Sequence, residues 1–518
     1  MMGIWPSISS TMRATFAVAV IVIAVASVKC RAQTTESTTV GSGCLTKQSV
    51  LGGEHMVCVN ATPSYFQYSG LKLNRSHWLT CVRCNLNVIK ESTFNFPKNN
   101  VSYLNLTGNN ILTVEPHSFG KFHILKYLSL KENLIETIDP KAFAGLRRLL
   151  HLDLSFNKFK IVRSNTFAEL ESLDILNLNA NSVIYLHGDA FVGLANLKYL
   201  YLNRNKIKTL LADSFKHLTN LKILYLENNR IREIHPVAFN NLRNLNYLYL
   251  NNNSLSYLVQ YNFKQLSSLV DLQLRSNSLS EIQTSSFNGL SGLKFLYLGQ
   301  NNLSRIQPYG LIGLNSLLIL DLIDNNFKQF SLDNFKNMNS LTTLWLERNK
   351  LRNITINEDS DPLPALKVLD LIENDLKAFD YSLLYEKLPN VQDILIGKNR
   401  WNCEFLAKMH EFYSARNVSV CLDAKCNVNE TDDFLKTNCS HLFKTSQNVR
   451  GETIDDNGNG ASKGVEEEEE GADLQNDFGA DGEESSASPY PTTTIGMTNV
   501  TVLFSILCLH VLIRKRVL

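Results

Sequence analysis

The sequence lacks the patterns on which most enzymes depend. Its 518 residues contain no Gly-x-Ser-x-Gly, no His-Glu-x-x-His and no phosphate-binding loop, motifs that mark common nucleophilic, zinc and nucleotide sites. Cysteine is absent between Cys84 and Cys403. Long apolar runs are confined to Ala14 to Val28 and Val500 to Ile513, and both are shorter than the ~20 residues that a bilayer-spanning helix needs. We therefore expect no enzyme, no cofactor and no nucleic-acid partner.

What fills the centre of the chain is one pattern repeated about every 24 residues from Val101 to Asn399. Each unit reads L-x-x-L-x-L-x-x-N-x-L-x-x-I-x-x-x-x-F-x-x-L-x-x, as in residues 221–244. Position 9 is asparagine in every unit: Asn109, Asn133, Asn157, Asn181, Asn205, Asn229, Asn253, Asn277, Asn301, Asn325, Asn349, Asn374 and Asn399. Position 19 is phenylalanine in most units, with Leu311 as a substitute: Phe119, Phe143, Phe167, Phe191, Phe215, Phe239, Phe263, Phe287 and Phe335.

This pattern is the leucine-rich repeat, in which every unit opens with a strand. It predicts an α/β-type solenoid shaped as a horseshoe, with a parallel sheet on the concave face and an irregular or short-helical convex side. The asparagines turn the chain off the strand and can form a hydrogen-bonded ladder from coil to coil. The phenylalanines fill the convex side of the core. Both sets are structural, because no single unit can bury its own apolar side.

The concave face carries aromatic residues in columns. Positions 4 and 6 of each strand point inward, so positions 3 and 5 face outward. The aromatic residues at these positions from unit 197–220 onward are candidate partner-binding residues, because exposed rings on a rigid sheet suit protein recognition: Tyr199, Tyr201, Tyr225, Tyr247, Tyr249, Phe295, Tyr297 and Trp345. Asp271 and Gln273 interrupt the stripe. The alternative is that tyrosine simply favours strands and that these rings stack on each other.

Apart from Cys30 and Cys508, the cysteines form two groups that flank the repeats. Cys44, Cys58, Cys81 and Cys84 precede them, and Cys403, Cys421, Cys426 and Cys439 follow. Disulfide-bonded caps would cover the open ends of the solenoid. Each group allows three pairings, and Cys81-x-x-Cys84 has a zinc site as its alternative.

We divide the chain into six segments. Arg13 and the apolar run after it, followed by Cys30-Arg31-Ala32, indicate a cleaved secretory signal, with a membrane anchor as the alternative. The next segment merges into an imperfect repeat that begins near Ser76. The segments are a signal peptide at 1–32, an amino-terminal cysteine cap at 33–100, an array of about 13 units at 101–399, a carboxyl-terminal cysteine cap at 400–440, an acidic disordered stalk at 441–499 and an apolar tail at 500–518.

The tail and the stalk each carry a candidate site. Ser485 and Ser486, a polar spacer and the apolar tail fit a signal for glycosylphosphatidylinositol attachment, whereas the final basic triplet favours a single membrane span. The stalk matches the calcium-loop pattern of an EF-hand but has no partner loop, so coincidence in an acidic tract is the alternative and we expect no metal site. The residues of that match are Asp455, Asn457, Asn459 and Glu466.

Acceptor sequons for N-glycans are spread along the chain. A glycan on Asn105 would mask the amino-terminal end of the concave sheet, and Asn438, beside Cys439, is a poor acceptor. The expected glycosylation sites are Asn60, Asn74, Asn100, Asn105, Asn252, Asn302, Asn353, Asn417 and Asn429.

The repeats and cysteine caps resemble the extracellular leucine-rich repeat family, and with the tail they are similar to cell-surface adhesion proteins of the chaoptin and connectin type. The resemblance implies recognition or adhesion on the extracellular side of the plasma membrane.

Basic residues outnumber acidic ones outside the stalk and the ends. This excess favours anionic glycans as partners, unless the charges are merely scattered over the surface. The partners are thus a protein ligand or receptor, an anionic glycan, or a second copy of the chain. The alternative is a secreted or shed matrix or immune binding protein with no membrane role.

Overall fold

The structure is a computed structural model that describes residues 43–48, 54–67, 76–95 and 99–422. The predictions of a signal at 1–32, a stalk at 441–499 and a tail at 500–518 lie outside these residues. So do the predictions on the following residues: Asn74, Asn429, Cys426, Cys439, Asp455, Asn457, Asn459, Glu466, Ser485 and Ser486.

Within the described ranges, 17 strands form one long sheet. The first two strands pair antiparallel, and every later neighbour pairs parallel. The leucine-rich repeat solenoid predicted from the sequence is therefore confirmed. In chain order the strands are Gly43–Gln48, Glu54–Val59, Ser76–Val82, Tyr103–Asn105, Tyr127–Ser129, His151–Asp153, Ile175–Asn177, Tyr199–Tyr201, Ile223–Tyr225, Tyr247–Tyr249, Asp271–Gln273, Phe295–Tyr297, Ile319–Asp321, Thr343–Trp345, Val368–Asp370, Asp393–Leu395 and Ser419–Cys421.

The opposite side of the solenoid contains shorter elements. Two- or three-residue strands pair there in small parallel sheets: Val88–Ile89, Thr113–Val114, Thr137–Ile138, Ile161–Val162, Tyr185–Leu186, Thr209–Leu210, Glu233–Ile234, Glu281–Ile282, Arg305–Ile306, Gln329–Ser331 and Asn353–Thr355. The described helices are Pro63–Gln67, Tyr381–Lys387 and Cys403–Ser414, with a 3-10 turn at Leu332–Phe335. None of the described helices is long and apolar enough to cross a membrane.

The asparagine at position 9 ties each coil to its neighbour. The Oδ1 atom of Asn205 accepts the backbone N–H of Val183 at 2.9 Å, and its Nδ2 atom donates to the carbonyl oxygens of Leu178 and Leu202, both at 3.0 Å. The same arrangement recurs from Asn133 to Asn399. These amides satisfy backbone groups that water cannot reach. The predicted ladder is confirmed.

The phenylalanine column explains the curvature of the solenoid. Consecutive rings from Phe191 to Phe287 stack with their centroids 6.0 to 6.3 Å apart, and all of them are buried. On the sheet side, the stacked rings of Tyr201 and Tyr225 are only 4.5 Å apart. Because successive coils are wider apart on the phenylalanine side, the stack bends toward the sheet, which therefore lines the concave face.

The residue before each ladder asparagine adopts a left-handed backbone conformation that the sequence pattern did not reveal. Its φ is +69° at Gly108 but also +54° at Glu132 and +55° at Phe156. Non-glycine residues adopt this conformation at a cost of about 1 kcal/mol or more. The sharp turn off the strand requires it in every coil, whichever side chain is present.

Disulfides join cysteines at both ends of the described chain. Cys44 pairs with Cys58 and Cys81 pairs with Cys84, which selects one of the pairings that the sequence left open. The bond between Cys81 and Cys84 leaves no thiolates there, so the zinc alternative was wrong. Cys403 and Cys421 are also disulfide-bonded. The helix Cys403–Ser414 follows the last repeat at this end.

Removing one amide from the ladder should destabilise the solenoid. We expect Asn205→Leu to lower the free energy of unfolding by about 2–4 kcal/mol, because it leaves several buried backbone groups unpaired. Chemical denaturation followed by circular dichroism measures this. Asn220→Leu, at an exposed position, is the control and should change the midpoint little. Equal midpoints for the two variants would contradict a structural role for the ladder.

Candidate partner-binding face

The predicted aromatic residues all stand on the outer surface of the long sheet. In the strand Tyr199–Tyr201, both tyrosines are half-buried and flank a fully buried Leu200. Leu224 and Leu248 are likewise buried between more exposed neighbours, whereas Tyr297 is itself buried. The residues so placed are Tyr199, Tyr201, Tyr225, Tyr247, Tyr249, Phe295, Tyr297 and Trp345.

Three of these tyrosines form a continuous stack. The ring centroids of Tyr201 and Tyr225 are 4.5 Å apart, and those of Tyr225 and Tyr249 are 4.8 Å apart, with interplanar angles of 8° and 6°. The rings therefore contact each other, as the structural alternative for this column supposed. Exposure along the face is uneven, since Tyr247 is 38% exposed whereas Tyr297 is 7% exposed. The stacked ring faces are covered by one another rather than open to solvent.

Burial raises the pKa of the hydroxyl groups of Tyr201, Tyr225 and Tyr249 above the ordinary value for tyrosine. Neighbouring tyrosines and acidic groups, among them Glu227, raise the pKa of Tyr225 further. All three hydroxyls are therefore neutral at physiological pH, and those of Tyr201 and Tyr225 hydrogen-bond to each other.

Aspartates are buried on the same face, and most of them have a local structural role. Asp153, Asp321 and Asp370 occupy position 5 of their units, and each accepts the backbone N–H two residues later at 2.9 to 3.0 Å. Asn105 and Asn177 do the same at the same position. These side chains close the turn that follows the strand.

Asp271 differs, because it occupies position 3 and closes no turn. It is 6% exposed, and its one described hydrogen bond is from the Nε2 atom of Gln273 to its Oδ1 atom at 2.9 Å. Among the described residues no cationic side chain lies within ion-pair distance of it. Burial raises the pKa of its carboxyl group to about 7. In the sequence, Asp271 is visible only as a gap in the aromatic stripe.

Three further oxygen atoms on this face are buried without a hydrogen-bond partner among the described residues. They are Oδ1 of Asn179, Oδ1 of Asn203 and Oε2 of Glu227, at position 7 of three consecutive units. Burial raises the pKa of Glu227 to about 7. Unpaired buried acceptors are uncommon in folded proteins, so this row beside the tyrosine stack is a second unusual feature of the face.

The arginine nearest to Asp271 in sequence is already engaged. Arg275 forms an ion pair with the fully buried carboxylate of Asp321, and its guanidinium group lies 5.2 Å from the centre of the Tyr297 ring. Trp345 lies in register between Asp321 and Asp370 on the adjoining strands. The ion pair between Arg275 and Asp321 thus joins side chains two coils apart on this face.

The described sequons lie mostly away from the aromatic columns. The asparagines of six sequons have exposed side chains: Asn60, Asn100, Asn252, Asn302, Asn353 and Asn417. Asn105 lies on the sheet, where its Oδ1 atom accepts the N–H of Thr107 at 3.0 Å. Four coils separate it from Tyr201, or roughly 19 Å at the usual strand spacing, so a glycan there would leave the tyrosine stack accessible.

A leucine-rich repeat family model matches residues 78–327 in overlapping segments. Among solved structures, the fold is similar to a leucine-rich repeat protein of Leptospira interrogans, with 24% identity, a TM-score of 0.53 and coverage of 70% of this chain and 88% of that one. TLR13 in its complex with ssRNA13 has 24% identity, a TM-score of 0.56 and coverage of 71% and 58%.

Toll, in the Drosophila Toll–Spatzle complex, has 20% identity, a TM-score of 0.55 and coverage of 71% of this chain and 54% of that one. At these identities the likeness concerns the fold alone. No curated protein matches the sequence.

The buried carboxyl of Asp271 gives stability a pH dependence. Its folded-state pKa of about 7 lies above the ordinary 3.8, so protonation stabilises the folded chain fully below pH ~4, and that stabilisation is lost as the pH rises through 7. We expect Asp271→Asn to raise the free energy of unfolding at pH 8 by about 1–3 kcal/mol and to change it little at pH 4.

Thermal melts at both pH values measure this effect. The matched variant is Asp359→Asn, at an exposed position, which should change the midpoint little at either pH. A lower midpoint for Asp271→Asn at pH 8 would show that its carboxylate is stabilising and would contradict the assignment.

Proposed function

We propose that this leucine-rich repeat protein recognises a protein ligand or receptor through its concave sheet and acts in recognition or adhesion at the cell surface. The observation that carries the proposal is the aromatic column on that sheet, ordered by contacts within the protein. Aromatic side chains dominate the energetics of protein interfaces. Here they stand on a sheet whose coils are joined by the asparagine ladder.

Preorganisation supports this function. Binding usually costs about 0.5–1.5 kcal/mol for each side chain that must be immobilised. The rings of Tyr201, Tyr225 and Tyr249 are already held by stacking, so most of that cost has been met during folding. The edges of the stack and the exposed ring of Tyr247 provide both apolar area and hydroxyl donors.

The extracellular setting rests on the cysteines and the ends of the chain. Disulfides such as Cys44–Cys58 persist in oxidising compartments and are rare in the cytosol. The apolar run after Arg13 and the tail with Ser485 and Ser486 suit secretion followed by lipid anchoring. The alternative is a secreted or shed binding protein, and recovery of the chain only in the medium, with none on intact cells, would favour it.

A charge placed on the concave face should abolish recognition without unfolding the protein. We expect Tyr247→Lys in the full-length chain to abolish aggregation of suspension cells that express it, or their attachment to partner cells, because the ammonium group disrupts the apolar contact area. Tyr309→Lys is the control: Tyr309 is 67% exposed and lies outside the sheet. Normal aggregation by Tyr247→Lys at equal surface expression would refute the use of this face.

The mode of attachment predicts a second result. Phosphatidylinositol-specific phospholipase C should release most of the full-length protein from intact cells, because a glycosylphosphatidylinositol anchor is its only tether in this proposal. Surface biotinylation before and after treatment measures release. Substitution of Ser485 and Ser486 together by bulky residues should reduce surface display. Retention of the treated protein would instead support a membrane span.

A further inference from the structure

Asp271 lies in an aromatic enclosure. In the sheet register it sits between Tyr247 on one neighbouring strand and Phe295 on the other. Its hydrogen-bond partner Gln273 sits in the same way between Tyr249 and Tyr297. With strands about 4.8 Å apart, the carboxyl group is flanked on both sides by rings on the same face. Asp271 and Gln273 are thus flanked by four aromatic residues on one face of the sheet.

The carboxylate has no internal counter-ion. Of the four buried aspartates among the described residues, the other three accept a backbone N–H that closes a turn. Arg275, in the same unit, is committed to Asp321 and to the ring of Tyr297. Buried charges in proteins are ordinarily paired, because an unpaired one costs several kcal/mol. Asp271 therefore lacks the partner that its burial calls for.

We propose that Asp271, with the surrounding rings of Tyr247, Tyr249, Phe295 and Tyr297, forms the pocket for a lysine or arginine side chain of the protein partner. This inference rests on the proposed function, since it assigns the chemistry of the group that the concave face binds. The cationic head pairs with the carboxylate, and the rings attract it through their π faces and cover its methylene stem.

Other occupants fit the enclosure less well. An acidic or sulfated group would be repelled by Asp271 and by Glu227, which lies two coils away on the same face. A purely apolar side chain would exclude water from the Asp271 carboxylate without forming an ion pair with it. The desolvation cost of that carboxylate would then rise. A cation satisfies the carboxylate and uses the rings at the same time. Burial raises the pKa of Asp271, and a bound cation would oppose that effect.

The test uses the full-length protein and three small probes. Nα-acetyl-lysine N-methylamide and Nα-acetyl-arginine N-methylamide carry the cation, and the norleucine analogue is the neutral match for lysine. Saturation-transfer NMR titrations yield Kd for each probe. We expect a cationic probe to bind at least tenfold more tightly than the norleucine probe, and Asp271→Asn to remove that difference.

Asp370→Asn is the matched control, because Asp370 closes the same turn, asparagine performs that role at Asn105 and Asn177, and the change creates no glycan acceptor. It should bind the cationic probes as the unsubstituted protein does. Since Asp271→Asn is expected to keep or gain thermal stability, its loss of binding could not be attributed to unfolding. Equal binding of the lysine and norleucine probes, or unchanged lysine binding by Asp271→Asn, would overturn the proposal.

Failure here is distinguishable from failure of the proposed function. If Tyr247→Lys abolishes cell aggregation while cells with Asp271→Asn aggregate normally and that variant binds the lysine probe as tightly as before, the recognition face stands and the cation pocket is wrong. If cells with Tyr247→Lys aggregate normally, the function assigned to the face is wrong. Loss of aggregation in both variants, with selective loss of the lysine probe in Asp271→Asn, supports both.

Discussion

The structure depends on the hydrogen bonds by which one asparagine side chain joins each coil to the preceding one. The amide of Asn205 reaches the backbone of its own coil and of the coil before it, and twelve other asparagines hold the same position. Because these bonds fix the backbone register, equivalent side chains lie directly above one another along the stack. Periodicity in the sequence thus becomes alignment in space, and each repeat position becomes a column on one surface.

Columns of like residues then interact according to the spacing that the curvature sets. On the convex side the phenylalanine centroids are 6.0 to 6.3 Å apart and the rings fill the core. On the concave side Tyr225 lies 4.5 and 4.8 Å from its neighbours, close enough for face contact. The same register that stacks the tyrosines places the side chain of Asp271 among rings, since the strand geometry does not distinguish acidic from aromatic residues.

Much of this was predictable from the sequence, because the repeat pattern directly encodes the ladder, the phenylalanine column and the outward tyrosines. The left-handed turn residue was not, since position 8 varies from Gly108 to Phe156 and the backbone imposes the conformation regardless. Neither was the pairing of Cys81 with Cys84, because spacing alone allows several disulfide patterns.

The importance of Asp271 was also hidden from the sequence. Along the column of position 3, Asp271 only interrupts a series of aromatic residues. Its burial depends on the rings of the adjoining coils, which the sequence of its own unit does not show. Asp321, at position 5 rather than position 3, is paired with Arg275. That ion pair joins residues two coils apart, so local sequence does not reveal it.

The contrast between the two aspartates shows how a rigid scaffold can hold an unfavourable group. Charge burial at Asp271 opposes folding, but the cost of one unpaired carboxyl is small beside the combined contribution of stacked coils, each of which packs on its neighbours. The asparagine ladder keeps the strands in register whether or not that carboxyl is paired. A solenoid can therefore retain, at one place on its inner face, a group whose interactions are completed only by another molecule. At such a site the buried group lowers the stability of the folded chain, so a partner that pairs with it gains the most from binding there.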